Sequence, residues 1–272
     1  MKYKLFCSDF DGTLVRPDGT ISERTKEEIA RFTQAGGIFT VVTGRMTSSI
    51  VARVKEFAED GIVVSYQGAV VSEIKSGKIL KYASFDLQSA VRAVRRLEKE
   101  NHHIHIYTDE GLYANRRDDM LEEYERLCGV HGNDKYNLLS EWIEKTKPPV
   151  VKILAIVEPE QRHALQESLK EKLGGGYFIT CSTDRLVEIT PAGQNKGTAI
   201  RFLSEYLHIP KEEIAAIGDQ LNDLPMLEEA GGKFAVGNAK EELKRIAKVV
   251  SSCQEDGVAE ALRIAREGED YE

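Results

Sequence analysis

Leu5-Phe6-Cys7-Ser8-Asp9-Phe10-Asp11-Gly12-Thr13 decides the fold of this 272-residue chain. Its first four residues read as a short strand buried on both faces, as central strands of a parallel sheet are. Two carboxylates follow at once, and Gly12 lets the backbone turn directly behind them. Beyond that turn a helix is expected over residues 22–34. Thr25 and Glu28 have capping-box spacing, Ile29 and Phe32 supply an apolar face, and Gly36-Gly37 end it. A strand over 38–42, a helix over 47–58 and a strand over 62–65 come next. Strand alternating with helix implies an α/β chain with a parallel sheet and crossover helices.

The pattern then changes. Residues 70–74 and 78–82 flank Ser76-Gly77 and read as a hairpin. Helices over 87–100, 118–127 and 160–173 and strands over 104–107, 151–157, 177–181 and 186–189 make a stretch of mixed character. After Pro191 the alternation returns, with helix 196–206, strand 214–217, helix 224–229 and strand 233–236. Residues 1–84 and 190–272 therefore form the expected core, with an α+β domain inserted at 85–189. The acidic end, 267–272, is expected to fray.

Composition narrows the class of protein. A formal net charge of −8 argues against a sequence-independent grip on nucleic acid, which needs clustered Lys and Arg. Cys7, Cys128, Cys181 and Cys253 are widely separated and read as free thiols. No run approaches the roughly 20 apolar residues of a membrane span, and the apolar stretch before Asp9 is too short for a signal peptide. A soluble cytoplasmic protein with no membrane and no nucleic-acid partner is expected. No heptad pattern speaks to oligomeric state.

Ligands in open parallel sheets sit beyond the carboxyl ends of the strands. Three strand ends carry polar clusters here: Asp9 to Thr13, Thr43-Gly44-Arg45, and Gly218-Asp219 followed by Asn222-Asp223. Lys196 opens the helix after the insertion. Four carboxylates in one crevice are unfavourable unless a cation sits among them, and hard oxygen ligands suit Mg²⁺. A carboxylate, a lysine, a threonine hydroxyl and Mg²⁺ are parts suited to phosphoryl transfer. In that role Asp9 attacks phosphorus, while Asp11 gives a proton to the leaving oxygen and later takes one from water.

Asp9-x-Asp11-Gly12-Thr13, Thr43-Gly44-Arg45, Lys196 and Gly218-Asp219-x-x-Asn222-Asp223, in this order, resemble the four motifs of the haloacid dehalogenase superfamily. The large insertion resembles the type IIB cap of the Cof-like phosphatases, over a Rossmann-like core. Glu188-Ile189-Thr190-Pro191 ahead of Lys196-Gly197 fits the same pattern. The resemblance implies Asp9 as nucleophile, Asp11 as general acid/base, and Thr43, Gly44 and Lys196 as the phosphate-binding group. It implies Mg²⁺ on the Asp9 carboxylate, the Asp11 carbonyl and Asp219, supported by Asn222 and Asp223. One departure stands out: many relatives have Asn-Gly-Ala after the third strand, where this chain has Gln67-Gly68-Ala69.

The expected activity is hydrolysis of a small phosphorylated metabolite, such as a sugar phosphate, through an aspartyl phosphate. Two alternatives stay open: a phosphosugar mutase, for which Arg116 and Arg117 could bind a distal phosphate, and a non-catalytic phosphometabolite-binding protein. His103 and His105 should share one face of a strand, with His102 on the other, in a packing or surface role. Tyr107, Asp109 and Tyr113 are candidates to face substrate from the insertion.

Overall fold

A computed structural model describes residues 1–181 and 183–268. The expected frayed end falls largely on 269–272, outside the described residues. The chain divides into two compact units, one comprising Met1–Lys81 and the residues from Asn195 onward, the other Tyr82–Gln194.

In chain order the first unit begins with β1 (Leu5–Ser8), α1 (Glu23–Gln34), β2 (Ile38–Val42), α2 (Thr47–Val54), β3 (Ile62–Ser65), β4 (Val70–Glu73) and β5 (Ile79–Tyr82). The second contains α3 (Leu87–Lys99), β6 (His103–Tyr107), β7 (Leu112–Ala114), α4 (Asp119–Cys128), β8 (Gly132–Asn133), α5 (Leu139–Thr146), β9 (Lys152–Ile156), α6 (Pro159–Leu173), β10 (Tyr177–Cys181) and β11 (Leu186–Pro191). The first then resumes with α7 (Lys196–Leu207), β12 (Ile214–Gly218), α8 (Leu224–Glu228), β13 (Gly232–Ala235), α9 (Glu241–Lys244), β14 (Lys248–Val249) and α10 (Gly257–Glu267).

The core sheet runs β14-β13-β12-β1-β2-β3-β4-β5 and is parallel from β14 to β3, where β4 turns back antiparallel. β1 is central, with Leu5 opposite Ile214 on one side and Ile38 on the other. Its residues are all buried, which explains a strand with no polar alternation. Phe6 anchors the layer beneath, its ring 5.9 Å from Phe32, 6.1 Å from Phe39 and 6.2 Å from Phe234. The cap of α1 is Ser22, whose Oγ accepts from the Thr25 amide, so the expected Thr25/Glu28 box lies one turn too late. Both side chains are instead buried in the helix's inner face. α2 stops at Val54, four residues before its expected end.

The second unit is built on the sheet β10-β11-β9-β6-β7-β8, antiparallel except for the β7–β8 pair. One face carries the apolar core, with Ile104, Ile106, Ile153, Ala155 and Val187 packed among Val94, Leu97, Trp142 and Leu169. The opposite face is polar although buried. His103, His105 and Tyr107 lie along it on β6, and Lys152 pairs with Glu188 at 3.2 Å.

Candidate active site

Every site residue expected from the sequence lies in the first unit, in the turns that follow β1, β2 and β12 or at the start of α7. Asp9 ends β1 with its amide donating to Ile217 O at 3.0 Å, and its side chain is buried. Gly12 takes φ +79°, and a Cβ there would stand 2.8 Å from Asp219 Oδ2, so only glycine brings the β1 loop this close to the β12 loop. Thr13 closes the same junction by donating from Oγ1 to Asp219 Oδ1 at 2.7 Å.

α7 delivers Lys196. Its N-cap, Asn195, accepts from the Thr198 amide at 2.9 Å while Thr198 Oγ1 accepts from the Asn195 amide at 3.1 Å, a reciprocal pair that pins the first turn. Lys196 Nζ donates to Asp9 Oδ1 and to Asp223 Oδ1, and the lysine is only 1% exposed. The other oxygen of Asp223 accepts from the amides of Asp219 and Gln220, each at 3.0 Å, so Asp223 ties α7 to the β12 loop.

Asp9, Asp219 and Asp223 offer carboxylate oxygens within 4.8 Å of one another. Burial pushes the Asp9 carboxyl well above its ordinary range, Asp223 and Asp219 adding to the rise and Lys196 opposing it. Asp219 is raised too, by burial and then by Asp223. Burial also opposes charge on Lys196, yet Asp223 and Asp9 hold its ammonium firmly protonated. Three buried carboxylates with one lysine leave excess negative charge in a poorly solvated place. The donor set, all hard oxygen, fits a small divalent cation.

The structure does not bring Asp11 into that cluster. Its carboxylate is half exposed and held in a fork by Arg45, Nε to Oδ2 and Nη2 to Oδ1, both at 2.7 Å. Arg45 also lies over the Phe10 ring, 5.4 Å from its centroid. Arg45 thus pairs with a carboxylate of the site. Thr43, buried at the end of β2, accepts the Arg45 amide on Oγ1 at 3.2 Å, and Gly44 lies between them in the turn. Gln67 meets Asn222, its Oε1 accepting from Asn222 Nδ2 at 3.2 Å.

Asn238 was missed by sequence reasoning. It follows β13, donates to Gly12 O at 2.8 Å and accepts the Cys253 amide at 2.9 Å, bracing the β1 loop from the far side. Applying the strand-end rule to β13 would have found it. Conversely, the two arginines of the insertion on which the mutase alternative rested, Arg116 and Arg117, are already engaged within the second unit. Arg116 donates to Asp118, and Arg117 donates to Asp134 and Glu125.

The family described as haloacid dehalogenase-like hydrolase matches residues 6–262. The chain is similar to an HMP-PP phosphatase of Yersinia pestis, 27% identical over 96% of this chain and 94% of the relative. Among solved structures, TM0651 from Thermotoga maritima is 30% identical with a TM-score of 0.83, over 96% of this chain and 97% of that one. A haloacid dehalogenase-like hydrolase from Bacteroides thetaiotaomicron is 27% identical, also at 0.83, over 96% and 99%. No helix among the described residues is long and apolar enough to cross a membrane. With the match spanning nearly the whole length, the chain belongs to the haloacid dehalogenase-like hydrolase family, as a phosphatase of its Cof-like kind.

Proposed function

We propose that this phosphatase is Mg²⁺-dependent, acts on small phosphorylated metabolites in the cytoplasm, and works through an aspartyl phosphate on Asp9. The observation that carries the reading is the buried Lys196 ammonium bridging Asp9 and Asp223 beside Asp219. The relative from Yersinia pestis is named for a phosphatase activity, which supports a phosphorylated small molecule as substrate.

Asp9 Oδ attacks the phosphorus, the bond to the leaving oxygen breaks, and Asp11 supplies the proton that oxygen needs. Water then attacks the phosphorus of the acyl phosphate, giving its proton to Asp11 and returning the Asp9 carboxylate and inorganic phosphate. Lys196 neutralises charge on the transferring group, and the Thr43 hydroxyl, with Gly44 beside it, serves its oxygens. Asp9, Asp219 and the Asp11 carbonyl would hold Mg²⁺, which when bound supplies charge neutralisation for the phosphoryl oxygens. In proton transfer Arg45 keeps hold of one Asp11 oxygen while the other turns to the leaving group, because a carboxyl group has lone pairs beyond the two that the fork occupies.

The test is phosphate release from a panel of sugar phosphates, nucleotides and aryl phosphates, with Mg²⁺ and with chelator. Metal-dependent release should fall at least about a thousandfold in Asp9→Asn, as expected for loss of a nucleophile, with the folded state retained. Residual turnover near the wild-type rate in that variant sinks the mechanism.

A further inference from the structure

Gln67 sits in the turn after β3 in a left-handed conformation, φ 57°, between Tyr66 at φ 50° and Gly68 at φ 102°. Two non-glycine residues in succession there are strained, and strain of this kind persists only where the surroundings impose it. They do so here. The Tyr66 amide donates to Arg45 O and the Gln67 amide to Thr43 O, both at 3.0 Å, while a Cβ on Gly68 would lie 2.2 Å from Asn195 O. The turn is wedged between the Thr43 loop and the start of α7, and it delivers the buried Gln67 side chain to Asn222.

An asparagine amide has one donor end and one acceptor end. Gln67 Oε1 takes the donor end, Nδ2, and so decides which way the Asn222 amide lies. Asn222 Oδ1 is then left buried with no hydrogen-bond partner among the described residues. It lies in the single turn Leu221–Asp223, beside two members of the carboxylate cluster. A buried carbonyl oxygen kept without a partner is costly unless something bound at the site donates to it.

We infer that Gln67 is a positioning residue for the metal site: it locks the Asn222 amide so that Oδ1 accepts from a water of hydrated Mg²⁺. The inference rests on the reading of the Asp9–Asp219 cluster as that site. Mg²⁺ sheds its waters reluctantly, so an acceptor for a metal-bound water contributes to affinity without touching the ion.

Calorimetric titration of full-length protein with Mg²⁺ alone tests this. Gln67→Met keeps length and volume but removes the acceptor, and Asn222→Ala removes the group it orients. Each should bind Mg²⁺ roughly tenfold more weakly than wild type. The double variant should bind no more weakly than Asn222→Ala, because Gln67 acts only through Asn222. Gln67→Asn, which suits the left-handed turn and withdraws the amide by one methylene, should show the same loss and carries the test if Gln67→Met does not fold. Wild-type affinity in the folded Gln67 variants, or losses that multiply in the double variant, overturns the inference. Asp219→Asn separates the two levels. If it binds Mg²⁺ as wild type does, the site reading itself fails; if it alone loses affinity, only the role of Gln67 fails.

Discussion

At the scale of single residues, the site is organised by which carboxylates are neutralised and by what. Asp9 and Asp223 share one buried lysine, whereas Asp11 is held apart at the surface by a guanidinium. Arg45 offers Asp11 two parallel bonds that a lysine cannot reproduce. Arg45→Lys should therefore leave Asp11 free to sample several rotamers and lower kcat by roughly tenfold, the scale of one charge-assisted bond. Inhibition by inorganic phosphate should barely change. Steady-state kinetics with a good substrate checks this, and an unchanged kcat would mean that the fork only parks Asp11 between turnovers. The types and order of these residues were legible in the sequence because each carboxylate and Thr43 follows a strand and Lys196 opens a helix. Their partners were not. Nothing in the spacing of Arg45 and Asp11, or of Gln67 and Asn222, announces a contact, since both depend on how separate loops converge and on side-chain rotamers.

At the scale of elements, strands and helices with strong periodicity were readable to within a few residues, and the parallel order of β1 to β3 followed from their unbroken apolar runs. Short pieces were not: β7, β8, β14, α5 and α9 were missed because strands of two or three residues and helices of four to eight carry too little pattern, and the longer α10 was not placed either. The approach of α7 to the turn after β3 was equally hidden. Gly68→Ala tests it. The added methyl must push the backbone at Asn195 while holding φ 102°, and a cost of roughly 2 kcal/mol or more is expected in chemical denaturation, with reduced turnover as Lys196 shifts. A neutral substitution would show that α7 can retreat freely. In the second unit, the alternation that puts His103 and His105 on one face was readable, but their link was not. His103 Nε2 meets His105 Nε2 at 2.9 Å, His103 Nδ1 meets Asp118 at 3.0 Å, and the Tyr124 ring of α4 covers His105. Burial lowers the pKa of both imidazoles below the ordinary 6.5, His105 the more so, with its neighbour His103 and then Lys152 adding to the effect there. Their folded pKa values lie below the unfolded one. The unfolded chain thus takes up protons first on acidification, and the stability these groups contribute is present above about pH 6.5 and is lost as pH falls below it. Asp118, whose pKa is lowered by His103 and Arg116 against the opposing effect of burial, yields its own contribution only at more acidic pH. His105→Gln should flatten the fall in thermal stability between about pH 7 and about pH 5. An equally steep fall in the variant would assign it to other groups.

At the scale of the whole molecule, two hydrophobic cores matter more than one fold label. The Phe6-centred core lies beneath the carboxylate cluster, and the core around Ile104, Ile153 and Trp142 belongs to the second unit with its buried histidines. The two units should therefore answer to different solution variables, and a single unfolding free energy for the chain is not guaranteed. A ligand that binds only the folded state stabilises what holds it by about 2.7 kcal/mol at a hundredfold excess over Kd. For a unit of this size that is an upward shift of several degrees in Tm. Mg²⁺ should raise the transition of the first unit and leave the second where it was, because Asp9, Asp219 and Asp223 all lie in the first. Acidification toward about pH 5 should lower the second unit's transition, through His103 and His105. Differential scanning calorimetry across Mg²⁺ concentration and pH reads both at once. Asp219→Asn should abolish the first response while sparing the second, and His105→Gln should do the reverse. One transition displaced by both variables would mean instead that the units melt as a single cooperative body, with the metal site and the histidine pair each stabilising the whole chain.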